Sequence, residues 1–203
     1  YKPIEGASYS LMVHPDPELE RALDGMIAKI AAAQEPDGYL YTARTIDPNN
    51  PPVDWAGNER WSNLYMSHEL YNAGHLYEAA VAYYQATGKR NLLNIALKNA
   101  DLVASVFGPG KRPGAPGHQE IEIGLVKLYR LTGKKKYLAL AKFFLDERGN
   151  AVGRTLYGEY SQDHKPVIEQ SEAVGHAVRA TYMYSGMADV AALTGNAPYV
   201  QAI

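Results

Sequence analysis

Four histidines carry the chemistry that this sequence could do. His68 and His75 lie seven residues apart in "SHELYNAGHLYEAAVAYYQATG", and His118 and His176 each follow a glycine, Gly117 and Gly175. A neutral imidazole donates through one ring nitrogen and accepts through the other, which suits a sugar hydroxyl, a proton in transit or a metal ion. Seven residues is almost two helical turns, so the spacing predicts His68 and His75 on one helix face. It is not the zinc-protease spacing, which needs histidines at i and i+4; Asn72 stands four residues after His68. His118 follows the turn-rich "RPGAPG" and is expected to start a helix, where the positive end of the backbone dipole favours a neutral ring. Glu122 is four residues after His118 and Glu172 four before His176, so each histidine would share a helix face with a carboxylate. The plain alternative for all four is a capping or packed histidine. His164, in "SQDHKPV", reads as a loop residue, and His14, before Pro15, as incidental.

Carboxylates are available for acid–base work: Glu69, Glu78, Glu120, Glu122, Glu169 and Glu172. Glycosidases commonly use a pair of them, but spacing selects no pair here. The chain has no phosphate-binding loop, dinucleotide fingerprint, nucleophile elbow or zinc-finger pattern. Its 203 residues include no cysteine, so thiol chemistry and disulfides are excluded within them. The formal net charge is −2 and the one basic run is Lys134 to Lys136, which argues against nucleic acid as a partner. No apolar stretch is long enough to span a bilayer. Tyrosine is abundant at 16 residues, which fits a polar-lined cavity as well as ordinary packing.

The elements that must position these residues read as helices. Asp16 is a good N-cap and Pro17 suits the first helical position, ahead of a stripe of Leu19, Leu23, Met26, Ile27 and Ile30. "EPDGYL" ends this first helix, and the long polar stretch "TARTIDPNNPPVDWAGNERWSN" follows with both tryptophans, Trp55 and Trp61. A repeat then begins. From Gly74, Gly117 and Gly175 the chain runs three times through Gly-His, an apolar helix and Thr-Gly, with Gly88, Gly133 and Gly195 at the expected helix ends. Positions four and five after that second glycine are Leu92-Leu93, Tyr137-Leu138 and Tyr199-Val200. "IEIGLVKLYRL" is apolar on most sides, whereas "KKKYLALAKFFLDERG" is amphipathic. Alternation of buried and amphipathic helices predicts an all-α, α/α toroid with inner and outer rings. The Gly-His near the start of each inner helix would face a central pocket. About four helical pairs are visible, and a closed six-hairpin ring would need roughly a hundred more residues at this repeat length. Residues 1–203 are therefore expected to be an incomplete N-terminal part of one α/α-barrel domain.

"SHELYNAGHLYEAAVAYYQATGKRNLL", "PGHQEIEIGLVKLYRLTGKKKYLALAKFFLDERG" and "QDHKPVIEQSEAVGHAVRATYMYSGMADVAALTG" together resemble the beta-L-arabinofuranosidase family of glycoside hydrolases. "AQEPDGYLYT" and the Arg60-Trp61 pair also fit. The resemblance implies a six-hairpin α/α barrel followed by β-sandwich domains, and retaining, exo-acting removal of beta-L-arabinofuranosyl groups from plant-derived glycans. It implies a zinc-bound cysteine thiolate as nucleophile, zinc ligands comprising that cysteine, two others and a glutamate, and a glutamate acid/base. All of these would lie downstream of Ile203, so no catalytic residue or zinc ligand is expected here. It places His68, His118 and His176 in the sugar-binding subsite and adds His75 as a further sugar-binding candidate, with packing beneath His68 as its alternative. The implied partner is an arabinofuranoside-containing oligosaccharide or polysaccharide; a homodimer is compatible with the sequence, and either a cytoplasmic or a periplasmic bacterial location is open. Two rival readings stay in view: a sugar epimerase, which would need paired histidines as acid and base and no zinc, or a polysaccharide lyase on the same barrel, and a non-catalytic helical binding module.

Overall fold

The structure, a computed structural model, describes residues 1–203 and contains nine α-helices and no β-strand. In chain order they are α1 (Lys2–Val13), α2 (Pro17–Ala33), α3 (Thr42–Thr45), α4 (Glu69–Thr87), α5 (Asn91–Val106), α6 (Ile121–Thr132), α7 (Lys135–Asp146), α8 (Ala177–Thr194) and α9 (Ala197–Ala202). None is long and apolar enough to cross a membrane. Asp16 caps α2 as expected, its carboxylate accepting from the Glu18 and Leu19 amides at 2.9 and 3.0 Å. The first helix is not α2, however. α1 precedes it, with Pro3 in its first turn, and buries only Ile4, Ser8 and Leu11. That stripe is too sparse to stand out from the sequence.

Excluding the single-turn α3, the helices form four consecutive hairpins. α1, α4, α6 and α8 pack side by side as an inner layer, while α2, α5 and α7 line up outside them. α9 closes the last hairpin against α8. Inner and outer layers share one continuous core that runs from Ile4 to Tyr199. This is the inner–outer arrangement of an α/α toroid, and it agrees with the sequence reading.

The Thr-Gly ends repeat almost identically. Thr87, Thr132 and Thr194 each donate a side-chain hydrogen bond of 2.7 Å to the carbonyl four residues back. Gly88, Gly133 and Gly195 then cap α4, α6 and α8 in the left-handed conformation, each amide bonding a carbonyl of the last turn at 2.8 Å. The side chain four residues on is buried in every case: Leu92, Tyr137 and Tyr199. The two tyrosines donate to Asp101 and Asp146 at 2.6 Å, joining α7 to α5 and α9 to α7. Tyr83 does the same to Asp24 at 2.7 Å, joining α4 to α2. Part of the tyrosine abundance thus belongs to joints between helices, not to a cavity wall.

The Gly-His starts are not equivalent. Gly117 and Gly175 precede their helices, but Gly74 lies inside α4. There it lets α6 approach closely: a Cβ at Gly74 would sit 2.7 Å from the backbone of Glu120, and one at Gly124 would sit 2.5 Å from the Gly74 carbonyl. At Gly117 a Cβ would meet the Tyr65 carbonyl at 2.0 Å, so this loop is pressed against the segment that leads into α4.

Candidate functional site

The N-terminal ends of α4, α6 and α8 bring three of the predicted histidines into one row. The His68 and His118 ring centres are 5.9 Å apart, and those of His118 and His176 are 6.2 Å apart. All three side chains are half-buried. Tyr71, one turn into α4, lies among them, 4.4 Å from His118 and 5.5 Å from His68. Tyr182 of α8 closes the group at 5.7 Å from His118. Neither tyrosine stood out in the sequence. Their signal was positional: each lies in the first two turns of an inner helix, close to a histidine.

Local structure differs from the helical-face reading. His68 is the N-cap of α4 in the left-handed conformation, φ 58°, so it does not share a helix face with His75. His118 lies in the loop before α6, which begins at Ile121, and so is not a helical neighbour of Glu122. His176 is the N-cap of α8, and Glu172 is exposed in the preceding loop, so that pair does not form on a helix. Each ring is held by the backbone instead. His68 Nδ1 lies 2.7 Å from the Met66 carbonyl and His118 Nδ1 lies 2.7 Å from the Gln119 carbonyl. A carbonyl only accepts, so in the neutral ring Nδ1 carries the proton and Nε2 is left as an acceptor. His176 is the reverse: its Nδ1 accepts from the Arg179 amide at 3.4 Å, which leaves Nε2–H as a donor. Burial pushes His118 down to about 4, with Arg179 and the neighbouring histidines adding to the effect against the Gln119 carbonyl, so its ring is neutral at physiological pH. The row therefore offers two acceptors and one donor, a pattern for a ligand with several hydroxyls.

A buried carboxylate anchors the first histidine. Glu69 accepts from the Trp61 amide with both oxygens at 3.1 Å, from the Ser67 hydroxyl at 3.0 Å and from the Tyr39 hydroxyl. Burial raises its carboxyl, and these donors act in the opposite direction. Trp61, at φ 59°, is a second left-handed non-glycine residue, bonded to the carboxylate of the residue that follows His68. Such residues cost of order 1–3 kcal/mol each and persist only where their surroundings hold them. Beside His68 opens a cavity of about 880 Å³, walled by Tyr71 and by the segment carrying Val53 and Trp55. His118 and His176 continue the row away from this cavity.

His75 is not on the surface of the site. It is 5% exposed and lies under Tyr71, ring centres 4.6 Å apart, in a charged cluster between α1, α4 and α6. Its Nδ1 is 3.0 Å from Glu120 and 3.7 Å from Glu78. Burial first, and the neighbouring Glu78 carboxylate second, push the Glu120 carboxyl far up, so it holds a proton. Burial would raise Glu78 too, but His75, Glu120 and Lys127 outweigh it and hold Glu78 below the usual carboxylate range. Glu5, His75 and Glu78 bring ligand atoms within 4.8 Å of one another, as a metal trio would. The Lys127 ammonium, paired with Glu78 and 3.3 Å from Glu5, already supplies the cation there. A zinc–thiolate centre does not fit these residues, since the chain has no cysteine. Of the other carboxylates, Glu122 is buried beside Arg148, while Glu169 and Glu172 are exposed.

Residues 1–203 match the family model described as the beta-L-arabinofuranosidase GH127 catalytic domain. The chain is 42% identical over 216 aligned residues to a non-reducing end beta-L-arabinofuranosidase of Bifidobacterium longum subsp. longum, covering 97% of this chain and 32% of that protein. It superposes on a solved GH127 beta-arabinofuranosidase with a TM-score of 0.94 at 60% identity, over 100% of this chain and 32% of the other. A GH127 beta-L-arabinofuranosidase from Geobacillus stearothermophilus T6 gives 0.87 at 47% identity, over 98% and 33%. The chain thus spans about a third of the length of these relatives.

Proposed function

Because this chain belongs to the beta-L-arabinofuranosidase GH127 catalytic-domain family, we propose that its histidine row recognises a terminal L-arabinofuranosyl group of a glycan within a retaining, exo-acting glycoside hydrolase. The observation that carries this reading is the convergence of His68, His118 and His176 from the starts of three different inner helices and the loops before them. A furanosyl group presents several hydroxyls on a small ring. Two imidazole acceptors and one imidazole donor, each fixed through its other nitrogen, can bind such hydroxyls. Tyr71 supports the row from the α4 side.

The bond-breaking groups are proposed to lie outside these residues. The thiolate nucleophile and its zinc need cysteines that the chain lacks. Within the 203 residues the site binds and orients; it supplies no nucleophile. Residues 1–203 are read as part of one α/α-barrel catalytic domain.

Replacing His176 with alanine in the whole enzyme tests the reading. Loss of one buried hydrogen bond to the sugar costs about 1–3 kcal/mol, and misplacement of the ring deepens the loss. The specificity constant for a beta-L-arabinofuranoside should therefore fall by about 10²-fold. The same change removes a long N-cap bond, which costs about 0.5–1 kcal/mol of stability. His176→Asn keeps a cap and should lose activity while holding its Tm. A variant with lowered Tm and normal turnover would return His176 to a purely capping role.

A further inference from the structure

We propose that the cavity beside His68 is a second sugar subsite, in which Trp55 stacks on the ring next to the terminal residue of the glycan. The inference rests on the glycan-binding reading above and extends it along the chain of the ligand. Three observations carry it.

First, the cavity is continuous with the histidine row. His68 and Tyr71 belong to both, so a ligand anchored at the row can extend in one direction only by passing over them. Its volume of about 880 Å³ lies in the upper range of sites that bury a whole small molecule, which leaves room for more than one sugar ring. Second, the wall is amphipathic. Trp55 and Met66 are 52% and 42% exposed, and Thr42 and Asn72 supply polar groups beside them. A sugar ring has a C–H face and a hydroxyl rim, and the electron-rich face of an indole attracts the former. Third, the exposed indole is on a braced loop. The buried Arg44 spends its guanidinium on the carbonyls of Gly57 and Pro48, at 2.6 and 3.1 Å. Asn63 donates to the Trp55 carbonyl at 3.1 Å, and Tyr41 donates to the Ser67 carbonyl at 2.6 Å on the opposite wall. A buried cation bonded to two loop carbonyls fixes the position of a ring that is itself left in solvent. That arrangement gives core stability little and a ligand platform much.

The test compares two substrates of the whole enzyme, methyl beta-L-arabinofuranoside and a beta-L-arabinofuranosyl disaccharide. Trp55→Ala should raise KM for the disaccharide about tenfold, the factor that 1.4 kcal/mol of ring contact confers. It should leave the methyl glycoside within about twofold, with kcat unchanged for both and Tm held. Trp55→Phe should recover part of the loss. Equal losses on both substrates, or none on the disaccharide, would overturn the subsite. If the wild-type enzyme cleaves neither substrate, the proposed function fails instead. The subsite is then decided by titration calorimetry with the disaccharide: weaker binding to Trp55→Ala than to wild type supports it, and equal binding, or none to wild type, removes it.

Discussion

Glu69 and Trp61 share a bifurcated contact: one backbone amide points between both carboxylate oxygens at 3.1 Å, across the turn that ends at His68. Glu69 → Gln replaces one of those oxygens with an amide that has hydrogens of its own to place. At least one of the Trp61, Ser67 and Tyr39 donors then loses its acceptor in a buried site, at a cost of about 1–3 kcal/mol. Tm should fall by several degrees, and KM should rise because His68 is no longer held in its left-handed geometry. Thermal melts and steady-state kinetics check both; a variant with wild-type Tm would show that Glu69 is not the anchor.

Glu120 and Glu78 are adjacent and buried, but they carry opposite expectations. Glu120 holds a proton, so Glu120→Gln is close to isosteric and isoelectronic and should change stability by less than about 1 kcal/mol. Glu78 is ionised and paired with Lys127. Glu78→Gln leaves that half-buried ammonium with Glu5 and the Tyr9 hydroxyl, at a cost of about 1–3 kcal/mol after allowance for solvent screening. Denaturant melts of the two variants decide the matter, and equal losses would mean that the proton has been placed on the wrong carboxyl.

His118 sets the acid limit. Its folded value of about 4 lies below the ordinary 6.5. A base depressed in this way binds its proton more readily in the unfolded chain. Its contribution to stability is therefore complete above pH 6.5 and is lost as pH falls through 4. Its acceptor function follows the folded value alone, so recognition should persist at pH 5 and fail near pH 4. Titration of the His118 ring proton by NMR reads the value directly; a midpoint near 6.5 would contradict the burial argument.

The helices of the repeat were legible because three separate segments carry one pattern. Thr-Gly followed four residues later by a large apolar or aromatic side chain is a local rule, satisfied by bonds within a single turn. Asp16 and Pro17 were readable for the same reason. α1 was not, because it buries only three residues and its main partner, α4, lies far along the chain. The site was half legible. His68, His118 and His176 stand out by type, the last two also by their glycines, but the helical period puts them on the wrong faces, because all three sit at or before a helix start where it does not apply. Glu69 and Arg44 could not be found from spacing. Their roles are bonds to backbone groups of other segments, and sequence carries no mark of those.

The two rims of this bundle obey different rules, and that sets how the scaffold can change. The rim of Thr-Gly turns is closed by bonds within each hairpin, so each turn is a self-sufficient module. The opposite rim consists of long, dissimilar loops whose bonds run between hairpins, as Arg148 shows in reaching from the end of α7 to the Pro116 and Ser161 carbonyls. Loop grafting can therefore exploit the exposed 46–52 stretch, which is tied to the frame through Arg44, without disturbing the core that Ala56 enters. The 112–119 and 147–170 segments would have to be exchanged together, as one interlocked unit.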